Sequence, residues 1–396
     1  MHSKVDFDIV VWGATGYAGR MIASRLLAQD GLVVALGGRN DRALLAVRDS
    51  LDPSGGTAVV VADAHDPASL RSMVKRTKAV ISTVGPYRLH GSALVEACAR
   101  AGTDYVDITG EPLWVRDMIL KHSDTARASG ARVIFSAGFD SIPAELGVQV
   151  LQEAAQARWG APLPTVRASV ALEGGGFSAA TLASIAAEWE ASRADATSQD
   201  LYDDPFALTP AFKGPAQPSG HGPLLDERSG QWLATWVMGP INARVVHRSN
   251  ALRSHVWGED LTYVEMLTTG PGAEGRAAAE QLSHAMVAVA QGNSGLVGED
   301  PCLTAESGSY VLTLEGSDPS GHKLIATVHG EGSAAYGSTS QIAAETVRCL
   351  LTEAANAPGG IWTPGALLDD ALVSHLQEHA GLRFAIVGQG AWQAKS

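Results

Sequence analysis

Asp8-Ile9-Val10-Val11-Trp12-Gly13-Ala14-Thr15-Gly16-Tyr17-Ala18-Gly19 is the stretch that decides how this chain folds. A short apolar run, Asp8 to Trp12, leads into glycines spaced G-x-x-G-x-x-G, and a segment of helical period, Tyr17 to Ala28, follows at once. Each glycine has a physical reason. One allows the tight turn, one lets backbone N–H groups come close to a pyrophosphate, and one lets the helix pack against the strand. Phosphate then rests at the positive end of the helix. Strand, turn and helix in this order read as a dinucleotide fingerprint with Gly13, Thr15, Gly16, Tyr17 and Gly19 as contacts; the competing reading is a plain structural turn.

Outward from this turn, the first 135 residues alternate short Val-, Ile- and Ala-rich runs with helical segments, the pattern of a parallel sheet. Six strands are expected, at 8–12, 32–36, 57–62, 79–83, 105–108 and 132–136, enough for a doubly wound Rossmann domain over residues 1–143. Past Pro143 the pattern changes. Helical stretches at 144–157, 181–193 and 273–291 mix with strands that follow one another directly. Tyr310–Gly316 and Lys323–Gly330 flank the turn Asp318-Pro319-Ser320-Gly321, a hairpin. The fold class is therefore α/β, with an N-terminal Rossmann sheet and a second, α+β substrate domain at 144–338. A proline-rich stretch at 196–230 reads as a long loop or lid. Residues 339–396 supply a helix (339–353) and a short strand (382–387), returning toward the Rossmann domain.

The second strand runs into Gly37-Gly38-Arg39-Asn40, where NAD-binding proteins carry an acid for the ribose 2′-hydroxyl. Here stands an arginine. Its planar fork suits a 2′-phosphate that a carboxylate would repel, so NADPH is expected rather than NADH. The alternative is an ordinary exposed Arg39, with Asp41 giving weak NAD recognition. Asn40 completes this end of the cofactor site. Asp63, closing the third strand, can take the adenine amine or cap the next helix. Val84, Gly85 and Pro86, after the fourth strand, either pass beside the nicotinamide ribose or form a simple rigid turn.

Composition narrows the partners. A formal net charge of -13 disfavours nucleic acid and anionic membrane surfaces. There is neither a run of apolar residues long enough to span a bilayer nor a secretory pattern at the start, which suggests a soluble, cytoplasmic protein. Cys98, Cys302 and Cys349 are far apart and read as reduced, mostly buried thiols, and no histidine or cysteine spacing suggests a metal. A homodimer is compatible with all of this.

Several motifs resemble a known family: Gly13-Ala14-Thr15-Gly16-Tyr17, Gly85-Pro86-Tyr87, Gly102-Thr103-Asp104-Tyr105-Val106-Asp107 with Thr109-Gly110-Glu111, and Gly138-Phe139-Asp140-Ser141-Ile142-Pro143. Together they are similar to the saccharopine dehydrogenase-like oxidoreductases, and within them to the trans-acting enoyl reductases of actinobacterial lipid and polyketide pathways. Asn242-Ala243-Arg244-Val245-Val246, Arg248-Ser249-Asn250-Ala251-Leu252 and Gly359-Gly360-Ile361-Trp362-Thr363-Pro364 extend the likeness over nearly the whole chain. The resemblance implies NADPH-dependent reduction of an activated carbon–carbon double bond in an acyl or polyketide-like intermediate, free or on a carrier protein. The alternatives are a saccharopine dehydrogenase-like imine or carbonyl reductase, and a catalytically inactive NADP-binding partner protein.

Enoyl reduction asks the protein for position, oxyanion donors and a proton. Tyr87 is the first candidate donor or acid, because a phenol is protonated at neutral pH; its other reading is a ring packed beside the cofactor. Glu111 and Asp140 follow, each with a helix-capping role as alternative. Gly175, Gly176 and Phe177 sit in a glycine turn that either admits substrate or merely connects.

Overall fold

The computed structural model describes residues 5–174, 178–293, 308–388 and 390–391. From the amino end come β1 (Phe7–Trp12), α1 (Tyr17–Leu27), β2 (Val34–Gly38), α2 (Asp41–Leu51), β3 (Ala58–Val61), α3 (Pro67–Val74) and β4 (Thr77–Ser82). Next are α4 (Tyr87–His90), α5 (Ser92–Ala101), β5 (Asp104–Asp107), α6 (Pro112–Ser129), β6 (Arg132–Ile134) and α7 (Ile142–Trp159). The middle holds β7 (Thr165–Glu173), α8 (Ala179–Ser192), α9 (Ala196–Asp203), β8 (Leu224–Asp226), β9 (Gln231–Thr235), α10 (Gly239–Leu252), β10 (Thr262–Pro271) and α11 (Gly272–Ala290). The rest is β11 (Ser309–Ser317), β12 (Lys323–Glu331), α12 (Thr339–Thr352), β13 (Gly360–Trp362), α13 (Pro364–His379), β14 (Leu382–Ile386) and β15 (Gly390–Ala391).

These elements form two compact units. One comprises Met1–Thr109, Trp114–Gly138 and Thr339–His375; the other comprises Gly110–Leu113, Phe139–Ser338 and Leu376–Ser396.

The first unit is built on a seven-stranded sheet in the order β13-β6-β5-β4-β1-β2-β3, parallel throughout. Ile9, Val10 and Val11 of β1 and Ala79, Val80 and Ile81 of β4 are fully buried, as central strands covered on both faces require. Helix starts follow local chemistry. Asn40 accepts from the N–H of Ala43 at the head of α2, and Asp66 from that of Ala68 at the head of α3, each cap contributing about 1 kcal/mol. At the tail of α5, Gly102 takes φ 74°, the left-handed turn that ends a helix. The late segment joins this unit through Arg132 of β6. Its guanidinium pairs with Asp104 of β5 and donates to the carbonyls of Leu350 and Ala354 at the end of α12. β13 then pairs with β6, as a strand that no periodicity in 339–362 announces.

The second unit carries an eight-stranded mixed sheet in the order β15-β14-β12-β11-β7-β10-β9-β8. Among the described residues, β7 and β10 are its only parallel neighbours. Strict alternation of buried and half-buried residues in β11 and β12 gives this sheet one face against α7, and Asp318–Gly321 forms the expected hairpin turn. Tyr310 of β11 lies opposite Gly330 of β12, where any Cβ would meet the phenol ring at 2.1 Å. The stretch 196–230 is more ordered than a loop. It contains α9 and β8, and Phe206 and Phe212 pack against each other, with the rings of His247 and His255 tilted against them.

Candidate active site

The turn after β1 is a cradle of bare backbone. Gly13 takes φ 90°, and a Cβ there would meet Thr83 Oγ1 and Val84 Cγ2 at 2.7 Å. Its N–H donates to Gly37 O at 3.0 Å, which joins the carboxyl ends of β1 and β2. The Thr83 hydroxyl donates to Trp12 O at 3.3 Å and so fastens the end of β4 to the same point. Gly16 is the N-cap of α1, and no side chain caps the helix. Thr15, Gly16 and Tyr17 are exposed around that terminus.

Arg39 follows β2 directly, is exposed, and makes no hydrogen bond or ion pair among the described residues. Asn40 spends its side-chain oxygen on the cap of α2. Asp63 accepts from the N–H of His65 at 2.8 Å, the cap of α3 being Asp66. Gly85 is exposed, with Val84 and Pro86 half-buried beside it. An uncapped helix terminus, a turn with no room for Cβ atoms and an unpaired guanidinium are what a pyrophosphate and a 2′-phosphate require. The residues present fit NADPH.

The expected catalytic side chains belong to both units. Tyr87 is buried; its phenol donates to Ser82 O at 3.0 Å, and its ring lies 5.5 Å from that of Trp114. Asp107 is a clamp within the first unit, accepting from the N–H of Thr109, the N–H of Ser136 and the phenol of Tyr105. In the second unit, Glu111 is fully buried and accepts from the Ser184 hydroxyl at 2.7 Å. Asp140 is partly exposed, and its surroundings push its carboxyl up to about 6 by burial. Gly175, Gly176 and Phe177 lie outside the described residues; after them Ser178 caps α8 by accepting from the N–H of Thr181.

Beside Asp140 the second unit holds a buried polar network that the sequence reading did not single out. The Tyr263 phenol donates to Glu265 Oε2 at 2.6 Å, and the Asn242 amide donates to the same oxygen at 2.9 Å. Ser141 donates to Asn242 Oδ1 at 3.2 Å. Burial raises the Glu265 carboxyl, the hydrogen bonds from Tyr263, Asn242 and Trp236 partly offset this, and the charge of Asp140 raises it again. A signal was present. Tyr263 and Glu265 are two apart on β10, so an acid shares the inward face of a strand.

Glu265 and Tyr263 also line a cavity of about 570 Å³ in the second unit, together with Trp236, Glu188 and Arg244. That volume is typical of small-molecule sites.

Residues 9–134 match the saccharopine dehydrogenase NADP binding domain. A trans-acting enoyl reductase of Mycobacterium ulcerans is 32% identical over 94% of this chain and 96% of its own length. One of Mycobacterium bovis strain BCG is 31% identical over the same shares. The chain belongs to the trans-acting enoyl reductase family.

The fold of this family member is also that of apo saccharopine dehydrogenase (L-Glu forming) from Saccharomyces cerevisiae. That structure superposes with a TM-score of 0.55 at 13% identity, over 96% of this chain and 100% of the other. This trans-acting enoyl reductase relative is thus an NADPH-dependent oxidoreductase with a Rossmann sheet and a second mixed-sheet unit. Among its described residues no helix is long and apolar enough to cross a membrane.

Proposed function

We propose that this chain reduces the activated carbon–carbon double bond of an enoyl thioester, with NADPH as electron donor and the acyl chain either free in solution or on a carrier protein. When bound, NADPH supplies a hydride. The protein does the holding: the uncapped start of α1 takes the pyrophosphate, and Arg39 takes the 2′-phosphate. The reduction also consumes a proton. Among Tyr87, Glu111 and Asp140, the last is best suited to hold it, being partly open to solvent with a carboxyl pushed up to about 6. The Tyr87 phenol and Glu111 are both buried and hydrogen-bonded within the protein.

One observation favours an uncharged acyl substrate over an amino-acid conjugate. A saccharopine-type substrate brings carboxylates and needs cations to receive them. Arg244, the one arginine lining the cavity among the described residues, already directs Nη1 to Pro240 O at 2.6 Å, Nε to Asp204 O at 3.1 Å and Nη2 to Tyr202 O. The cavity's other charged groups include the acids Glu188, Asp203 and Glu265. A carboxylate entering there would meet repulsion and no free guanidinium.

The test is anaerobic mixing with NADPH and a panel of enoyl thioesters while the nicotinamide absorbance is followed. Absorbance is expected to fall with at least one of them, and Asp140→Asn is expected to slow the fall more than tenfold at unchanged NADPH affinity. Consumption of NADPH with amine and aldehyde mixtures, and with no enoyl thioester, would overturn the reading.

A further inference from the structure

Three charged members of the lining of the second unit's cavity are already engaged. Glu188 accepts from the N–H of Leu113 at 2.8 Å, and Glu265 accepts from both Tyr263 and Asn242. Arg244 is committed to three carbonyls. The lining also includes the polar side chains of Asp203, Gln217, His221 and Gln291, and its hydrocarbon comes from Ile185 and Trp189 of α8, Ile241 of α10, and Met286, Val287 and Ala290 of α11.

Ile185 and Met286 are buried, and the other apolar groups are incompletely packed. Trp189, Ile241 and Ala290 are half-buried, and Val287 is 39% exposed although it lines the cavity. Apolar surface that faces a concave space, without protein atoms against it, is surface a hydrocarbon chain can cover favourably. Arg244, whose guanidinium could mark a nucleotide, a sugar phosphate or a dicarboxylate, is spent on backbone carbonyls. The lining thus selects for an uncharged chain with at most one hydrogen-bonding end.

We propose that this cavity receives the hydrocarbon tail of the acyl substrate, with α8 and α11 forming the walls that limit how long a tail can enter. The inference rests on the enoyl-thioester reading for the substrate's identity, but its own content is the place of the tail and the selection by length. Each methylene that enters strengthens binding by about fourfold until the walls are reached. Ala290→Trp puts an indole where the side chain was a methyl group, and it shortens the space available.

Calorimetric titration with the saturated butyryl, decanoyl and hexadecanoyl thioesters tests this independently of turnover. The protein is expected to bind decanoyl at least a hundredfold more tightly than butyryl. Ala290→Trp is expected to reduce that ratio at least tenfold while NADPH affinity, which reports an intact first unit, and far-ultraviolet circular dichroism, which reports the whole fold, stay unchanged. Equal affinity for all three chain lengths in the unmodified protein overturns the proposal whether or not enoyl thioesters are reduced. So does an unchanged ratio in a folded Ala290→Trp, and Ile241→Phe repeats that arm should the first variant not fold. Conversely, a steep length dependence without any NADPH oxidation leaves the tail site standing and removes the reductase reading.

Discussion

A Cβ added to Gly19 would lie 2.2 Å from the carbonyl oxygen of Gly13, and the turn after β1 exists only because neither residue has a side chain. No flexible group is there to move aside, since the obstacle is the backbone that forms the cradle. Gly19→Ala must therefore displace the turn or α1, at a cost typical of overpacking, about 1–3 kcal/mol. The expected result is NADPH affinity weakened by about tenfold or more by calorimetry. Gly56→Ala, whose added Cβ would meet only the Ser54 and Asp52 side chains at 3.5 and 3.6 Å, serves as a control with unchanged affinity.

Arg39 stands exposed just past β2, with no partner among the described residues. Its removal costs the folded protein little, and its effect is confined to the ligand. Arg39→Ala is expected to lose about 1.5–3 kcal/mol of NADPH affinity, the scale of a charged hydrogen bond. NADH lacks the 2′-phosphate and should bind as before. Parallel titrations decide this, and equal losses for the two nucleotides would assign Arg39 no part in selecting between them.

What the sequence made legible was local. β1, the glycine turn and α1 follow one another within residues 7–27, so periodicity and turn chemistry suffice to read them. The β11–β12 hairpin was legible for the same reason. β13 was not, because three residues pair with β6 across more than two hundred positions, and only tertiary contact reveals it. α10 differs again. Asn242, Arg244, His247, Arg248 and Asn250 are all buried, with partners such as Leu208 O for Arg248 and Gly258 O for Asn250 that lie in separate parts of the chain. That burial also explains the order in 196–230, since Arg244 and Arg248 hold its backbone carbonyls. Glu265 was hidden for a related reason: a buried acid is uncommon, and its network joins β10, α10 and Ser141 from separate parts of the chain.

The same helix makes folding sensitive to acid. His247 is buried against the ring of Phe206, its Nε2 has no hydrogen-bond partner among the described residues, and its pKa is lowered to about 4, first by burial and then by the nearby His255. The ordinary value is 6.5, which the unfolded chain keeps. Above that pH both states carry a neutral ring, and the residue adds no pH dependence. Between 6.5 and 4 the unfolded chain binds a proton that the folded one refuses, so stability falls as pH falls. The accumulated loss is about 3 kcal/mol at the lower limit, after which both forms are protonated and the slope from this residue vanishes. His247→Leu removes the titrating group, at some cost in packing against Phe206. Urea unfolding at a series of pH values should then show a flatter decline for the variant across this window than for the unmodified chain. Parallel curves for the two proteins would mean that His247 is not the group responsible.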